Sequence, residues 1–507
     1  MSNHLYDAFA DSIPEAGKTL IELADGTKVS YGELFELVER LASHLIRSGV
    51  VPGDRVAVQV DKSWQNLALY LACLRAGAVF LPLNTAYPLA ELEYFLGDAE
   101  PNFVVCRPEM ESGVRALCRK LGKAAVASLG TNGGGTLVKA AADAPVLPVV
   151  ARGPDDLAAI LYTSGTTGRS KGAMLSHENL LSNGRVLKDY WRFTENDVLL
   201  HVLPIFHTHG LFVACNTLLL AGASMIFLSR FDADEVMRLL PKATSMMGVP
   251  TFYVRLLEHP SLTPDATRHM RLFTSGSAPL LTETHRAFSE RTGHAILERY
   301  GMTETSMNTS NPYDGDRLAG TVGFPLPGVE ARVAEPEGGK RLPPDEVGVL
   351  EVRGPNVFSG YWRMPEKTKS EFRADGFFIT GDVAKIDARG YVHIVGRAKD
   401  LVITGGYNVY PKEVETEIDA IAGIAESAVI GVPHPDFGEG VTAVVVPAHG
   451  VKLSEDQVIA ALADRLAKFK QPKRVFFVDE LPRNNMGKVQ KNVLREIYAQ
   501  TYARAAG

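Results

Sequence analysis

The stretch DLAAILYTSGTTGRSKGAMLSHENL, residues 156–180, sets an apolar run, Leu157 to Leu161, directly before a loop of hydroxyls, glycines and a lysine. Glycines let backbone N–H groups curl around phosphate oxygens, and a lysine adds a compact positive charge. A strand followed by Thr163, Ser164, Gly165, Thr166, Thr167, Gly168 and Lys171 therefore predicts a polyphosphate site. It is not a Walker loop, because Arg169 and Ser170 stand between the last glycine and Lys171. Gly168 to Gly172 also matches G-x-S-x-G formally, but no convincing helix begins after Ser170, so a hydrolase elbow is rejected.

Outward from this loop, short β-branched runs alternate with helical patterns through the N-terminal part of the chain. Arg55 to Val60 precedes a helical stretch at Gln65 to Ala76, and Ala78 to Leu83 precedes Pro88 to Asp98. Such alternation predicts parallel sheets covered by helices. From about Gly320 the runs shorten to Glu330–Ala334, Val347–Arg353 and Tyr391–Val395, separated by glycine and proline, which favours antiparallel β structure. Beyond Gly396 the pattern is mixed again, with a helix at Pro411–Ala422, strands at Glu426–Gly431 and Gly440–Pro447, and a helix at Ser454–Leu466. LGTNGGGT, residues 129–136, reads as a flexible surface loop.

The 507 residues suffice for several buried cores, and 46% hydrophobic with 22% charged residues is a globular balance. With 59 acidic against 53 basic side chains the net charge is −6, so the molecule as a whole offers no basic surface for nucleic acid or anionic lipid. Cys73, Cys106, Cys118 and Cys215 form no C-x-x-C pair, which argues against a disulfide framework or structural zinc and fits a reducing, cytoplasmic location. MSNHLYDAFADSIPEAG lacks a basic start followed by an apolar run, so no signal peptide is expected. Asn216, Thr217, Gly222 and Ser224 interrupt the longest apolar stretch, Leu211 to Leu228, so no membrane span is expected either.

YTSGTTGRSKG, RYGMTET at 299–305, TGD at 380–382, GRAKDLVITGGYNVYP at 396–411 and PRNNMGKVQK at 482–491 resemble, in order and spacing, the motifs of the adenylate-forming acyl-CoA synthetase superfamily. The resemblance runs from Tyr31-Gly32-Glu33-Leu34 to Lys491. It implies an α/β chain: a large N-terminal domain, residues 1–396, of doubly wound sheets plus a small β-barrel-like subdomain, and a smaller mobile α+β domain, residues 397–507. The implied reaction has two steps, with ATP and Mg2+ forming an acyl-adenylate and coenzyme A then taking the acyl group.

By the same resemblance, Lys488 reaches the substrate carboxylate and the α-phosphate during adenylation. Glu304 holds magnesium, Thr303 donates to the α-phosphate, and Tyr300 stacks on adenine. Gly276 and Glu298 belong to the nucleotide site, Asp382 accepts the ribose hydroxyls, and Arg397 donates to ribose or phosphate. Lys399 is the hinge, Gly405 and Gly406 lie along the pantetheine arm, and His207 in PIFHTHG borders the acyl pocket. His207 and His209 lack a third ligand that would make them a metal pair.

Arg299 and Ser277 depart from the family pattern, which commonly has a small or uncharged residue at the first position and Ala or Gly at the second. A guanidinium pairs with a second carboxylate, and an unpaired buried charge costs about 3–5 kcal/mol, so a short dicarboxylate is the expected acid. Malonate ranks first and methylmalonate second; Met302 lies where it would limit pocket depth, but Met also occurs there in relatives with large substrates, so it decides little. Against this stands pairing of Arg299 with Glu298 or another local carboxylate, so that it never meets substrate. Other readings are an aromatic or medium-chain acyl-CoA ligase, a stand-alone amino-acid-activating domain, and an inactive nucleotide- or acyl-binding module. The chain ends at Gly507 without a carrier domain, which favours free CoA as acceptor. Acetylation of Lys488 by a lysine acetyltransferase, reversed by a deacetylase, removes its charge; oligomeric state is left open.

Overall fold

The computed structural model describes residues 2–122, 125–163, 170–404, 407–463, 465–484 and 487–503. The chain divides into two compact units, Met1–Glu330 with Val352–Phe378, and Ala331–Glu351 with Ile379–Gly507. The first unit contains a seven-stranded and a nine-stranded sheet. In the seven-stranded sheet Arg55–Gln59, Val79–Pro82, Phe103–Cys106 and Ala125–Ser128 run parallel, as the alternation of strand and helix predicts. Trp64–Arg75 joins the first two of these strands, starting at Ser63, whose side chain accepts the Asn66 N–H. Every residue from Gln65 to Arg75 is buried, which explains why this helix is apolar all round.

In the nine-stranded sheet Ser245–Gly248, Leu272–Ser275 and Leu297–Met302 are parallel neighbours, and Ser306–Ser310 returns antiparallel to the last. The turn between Met302 and Ser306 requires Gly301, because a Cβ there would lie 1.9 Å from the Ser306 carbonyl oxygen. The apolar stretch 211–228 is not one long helix. A π-helical segment His209–Cys215 runs into Asn216–Ala221, Gly222 stops it at φ +65, and Ser224–Phe227 is a strand. Among the described residues no helix is long and apolar enough to cross a membrane.

One expectation needs correction: residues 129–136 are tied down. Ser128 N–H donates to Thr136 Oγ1 at 2.8 Å and Gly130 N–H to Gly134 O at 2.7 Å, while Leu129 is buried. The glycines serve tight turns here; a Cβ on Gly135 would meet the Ser128 oxygen at 2.5 Å.

Among the described residues of the first unit, one apolar core is centred on Tyr253, Phe273 and Phe288 and another on Phe95, Leu96 and Ile160. The second unit holds most of a four-stranded sheet, in the order Glu330–Ala334, Gly348–Arg353, Phe378–Ile386, Val392–Arg397. It also holds a five-stranded sheet whose long hairpin, Ile424–His434 with Gly438–Pro447, is antiparallel and packs on the helices Pro411–Asp419 and Glu455–Leu462 through Val414, Ile418, Val458 and Leu462.

Candidate active site

Ser164, Gly165, Thr166, Thr167 and Gly168 lie outside the described residues, but both ends of the loop are defined. Thr163 ends the strand Leu157–Thr163 and Lys171 begins the antiparallel strand Lys171–Ser176, with the two residues directly paired. Tyr94 donates to the Ser170 carbonyl at 2.6 Å, fixing the return of the chain.

Beside Thr163 stands Glu304, 6% exposed, in the turn that also carries Thr303. Its Oε1 is 3.5 Å from the Thr163 hydroxyl and 3.0 Å from Tyr361 Oη, which also lies 2.7 Å from Glu371 Oε2. The phenol has one proton for two carboxylates, and burial together with both carboxylates pushes its pKa up. Lys171 sits 4.1 Å over the Tyr361 ring and 3.5 Å from Glu371 Oε1. Glu371 is also paired with Lys367 at 2.5 Å, and these partners hold its carboxyl below the usual range although burial, the largest effect, opposes them.

Glu304 suits magnesium. It is a hard oxygen donor at a phosphate loop, and no group of three or more His, Cys, Asp or Glu side chains that would hold a metal occurs among the described residues. Glu304 would hold such an ion alongside the nucleotide's own phosphate oxygens.

The acyl side of the site rests on adjacent strand ends. Thr274 and Ser275 pair with Leu297 and Glu298, so the SGSAP turn and Arg299 emerge side by side. Arg299 is 3% exposed, and its Nε and Nη2 are buried without a hydrogen-bond partner. Burial pushes its pKa down to about 10, so the guanidinium stays charged at neutral pH. Glu298 Oε1 accepts the Gly320 N–H at 3.0 Å. Gly276 makes room for the guanidinium, since a Cβ there would lie 2.3 Å from Arg299 Nη1.

Ser277, held at φ +70, places Oγ 3.3 Å from His209 Nδ1. His209 is 4% exposed; burial first, then Arg299, His201 and His207, hold its pKa well below the ordinary value, so it is neutral. With Nδ1 accepting the Ser277 hydroxyl, Nε2 carries the ring proton, and Nε2 too is buried without a partner. His207 stacks obliquely on Phe206 at 4.5 Å, and Tyr300 Oη lies 3.9 Å from Met302 Sδ.

The remaining candidates belong to the second unit. Asp382 and Arg397 are cross-strand partners joined by a 2.7 Å ion pair, with Asp382 only 3% exposed. Thr380 supports both, accepting the Asp382 N–H through Oγ1 at 3.0 Å and receiving Arg397 Nη1 on its carbonyl at 3.5 Å. Lys399 lies in the short turn Ala398–Asp400, whereas Gly405 and Gly406 fall outside the described residues. Lys488 is exposed, next to Val489, which bridges Arg483, and its N–H donates to Asn484 Oδ1 at 3.0 Å. Gly487 precedes it at φ +73, a backbone conformation that favours glycine.

Sequence reasoning missed Tyr361 and Glu371 as partners of Glu304 and Lys171, and treated His209 only as a rejected metal ligand. No local spacing links residues 304, 361 and 371; a T-H-G run beside His207 was the only trace of His209.

A model of the AMP-binding enzyme family matches residues 12–362, and one of the AMP-binding enzyme C-terminal domain matches residues 413–488. The chain is 38% identical to a feruloyl-CoA synthase of Amycolatopsis sp over 93% of its length and 94% of the relative's. It is 37% identical to a mitochondrial malonate–CoA ligase of Mus musculus over 92% of its length and 87% of the relative's. Among solved structures, ATP-bound MatB from Rhodopseudomonas palustris is 63% identical and superposes with a TM-score of 0.97, covering 99% of this chain and 100% of that one.

Proposed function

The chain belongs to the AMP-binding enzyme family, and on that premise we propose that it is an AMP-forming acid–thiol ligase converting malonate, and methylmalonate second, to the CoA thioester. The observation that carries the choice of acid is Arg299, a buried guanidinium with Nε and Nη2 unpartnered. A carboxylate bound there gains two charge-assisted hydrogen bonds, and the Nε2–H of His209 adds a neutral one while the Ser277 hydroxyl, given to Nδ1, holds that tautomer. Acetate and coumarate have no second anion and leave the cation unpaired, so the feruloyl-CoA synthase likeness does not extend to the acid.

In the first step one malonate carboxylate oxygen attacks the α-phosphorus of ATP, the bond to the β-phosphate breaks, and pyrophosphate leaves. Positioning and fixed positive charge do most of this work. Lys488 meets the charge developing on the α-phosphate, Lys171 that on the outer phosphates, and Thr303 donates to the α-phosphate. Tyr300 stacks on adenine and Asp382 accepts the ribose hydroxyls with Arg397 beside it. Magnesium held by Glu304 would neutralise phosphate charge, while Tyr361 keeps that carboxylate oriented.

In the second step the CoA sulfur attacks the acyl carbon and AMP leaves. Residues 397–507 are the part that moves between the steps, about Lys399, which withdraws Lys488 and brings Gly405 and Gly406 to the pantetheine arm. Acetylation of Lys488 removes its charge and blocks the first step.

A pyrophosphate-exchange panel of malonate, methylmalonate, oxalate, succinate, acetate and 4-coumarate tests the reading. Malonate should lead it; acetate or coumarate ahead of every dicarboxylate would sink the assignment.

A further inference from the structure

A buried pair in the first unit takes no part in the chemistry above. Lys62 Nζ lies 2.7 Å from His201 Nδ1, 2.9 Å from the His201 carbonyl and 4.2 Å over the Phe227 ring. An amine donates to both acceptors, so His201 Nδ1 carries the lone pair and Nε2 the proton. That tautomer matches its other side, where Nε2 lies 2.8 Å from the Gly210 carbonyl and 3.4 Å from the Cys215 thiol. Burial is the leading cause of a depressed pKa in His201, which keeps the ring neutral as this arrangement requires.

On its other flank Gly210 lies close against Pro204, where a Cβ would come within 2.1 Å of the Pro204 carbonyl oxygen and only glycine fits. It directly follows His209 at the start of the π-helical segment His209–Cys215, a widened turn of the kind often found at functional sites. A hydrogen bond from His201 to the Gly210 carbonyl thus fixes the backbone that aims His209 at Ser277.

We propose that Lys62 and His201 are positioning residues for acid selection: Lys62 sets the His201 tautomer, His201 anchors the Gly210 carbonyl, and the anchored turn holds His209 against Ser277 beside Arg299. The kinetic part of this proposal rests on the dicarboxylate reading. The geometric part does not.

Lys62→Met, His201→Leu and His201→Gln test it, with glutamine keeping an N–H donor in reach of Gly210. Lys62→Met and His201→Leu should raise the malonate KM about tenfold with kcat and the ATP KM within about twofold of wild type, and His201→Gln should recover most of the loss. A fall in kcat alone, a parallel loss of ATP binding, or a glutamine variant as impaired as leucine would overturn the proposal. Should the wild type not turn over malonate, the functional reading fails by itself and crystal structures of wild type and Lys62→Met decide this one. His209 leaving Ser277 only in the variant supports it, and an unmoved His209 overturns it.

Discussion

Replacing Arg299 with methionine should damage selectivity and improve stability at once. The charged guanidinium is buried, and the drop of its pKa to about 10 has burial as its largest cause, with Tyr253 acting weakly the other way. A base whose folded pKa is depressed destabilises the fold at every pH below that value, so the full penalty is present at pH 7. Converted at 1.36 kcal/mol per pH unit, that penalty is about 3 kcal/mol. Methionine fills similar space without charge, so part of this should return as a higher Tm in calorimetry at pH 7.

Malonate turnover should move the other way. Removing one partner of a buried ion pair costs about 3–5 kcal/mol, which is a roughly 150- to 5,000-fold loss in kcat/KM by pyrophosphate exchange. Acetate exchange should hold or rise, because no cation is then left unpaired beside it. Malonate alone should raise the Tm of the wild type and leave that of the variant unchanged. Equal losses for malonate and acetate, or a lower Tm with malonate turnover intact, would falsify the reasoning.

Lys488→Ala, or stoichiometric acetylation of Lys488, should abolish pyrophosphate exchange while thioester formation from supplied malonyl-adenylate persists; retained exchange would remove Lys488 from the first step. Tyr361→Phe keeps the ring under Lys171 and loses the hydroxyl on Glu304, so the magnesium needed for half-maximal ATP binding, measured by titration calorimetry, should rise about fivefold with the malonate KM unchanged. Asp419, whose pKa burial raises from 3.8 to about 6, accepts the Ser427 hydroxyl at 2.7 Å. An acid with a raised folded pKa costs stability above that value and nothing below its unfolded one, so Asp419→Asn should stabilise the second unit by up to about 3 kcal/mol at pH 8 and by little at pH 3.5 in denaturant titrations. A gain that is the same at both pH values would refute this.

The sheets of the first unit were readable because each strand is apolar and short and each helix between them is continuous. Arg55–Gln59, Trp64–Arg75 and Val79–Pro82 fall within a residue or two of the pattern. The glycine-rich tract 129–136 misled because its restraint comes from Ser128, outside the tract. Arg299 was visible as a charge in a strand of otherwise buried character, but its lack of a partner depends on where Glu298 points, and neighbouring residues on a strand face opposite ways. Tyr361 and Glu371 were invisible, because the chain must return to the strand Lys171–Ser176 to bring them to Glu304. The backbone accepts these polar residues through contacts distant in sequence, and no local rule encodes that.

The pairing of Thr274 and Ser275 with Leu297 and Glu298 places the proposed acid-reading groups at the ends of two neighbouring strands, while Thr163 and Lys171, which flank the proposed phosphate loop, belong to the other sheet. Recognition of the acid and handling of the nucleotide are thereby separable inheritances. A lineage, or an engineer, can trade the turn at 275–279 together with the strand end at 299–302 as a matched cassette and send a different acid into an unaltered activation engine. Swapping either half alone strands a cation or a cavity against the wrong neighbour, so the two segments should drift through sequence space as a pair.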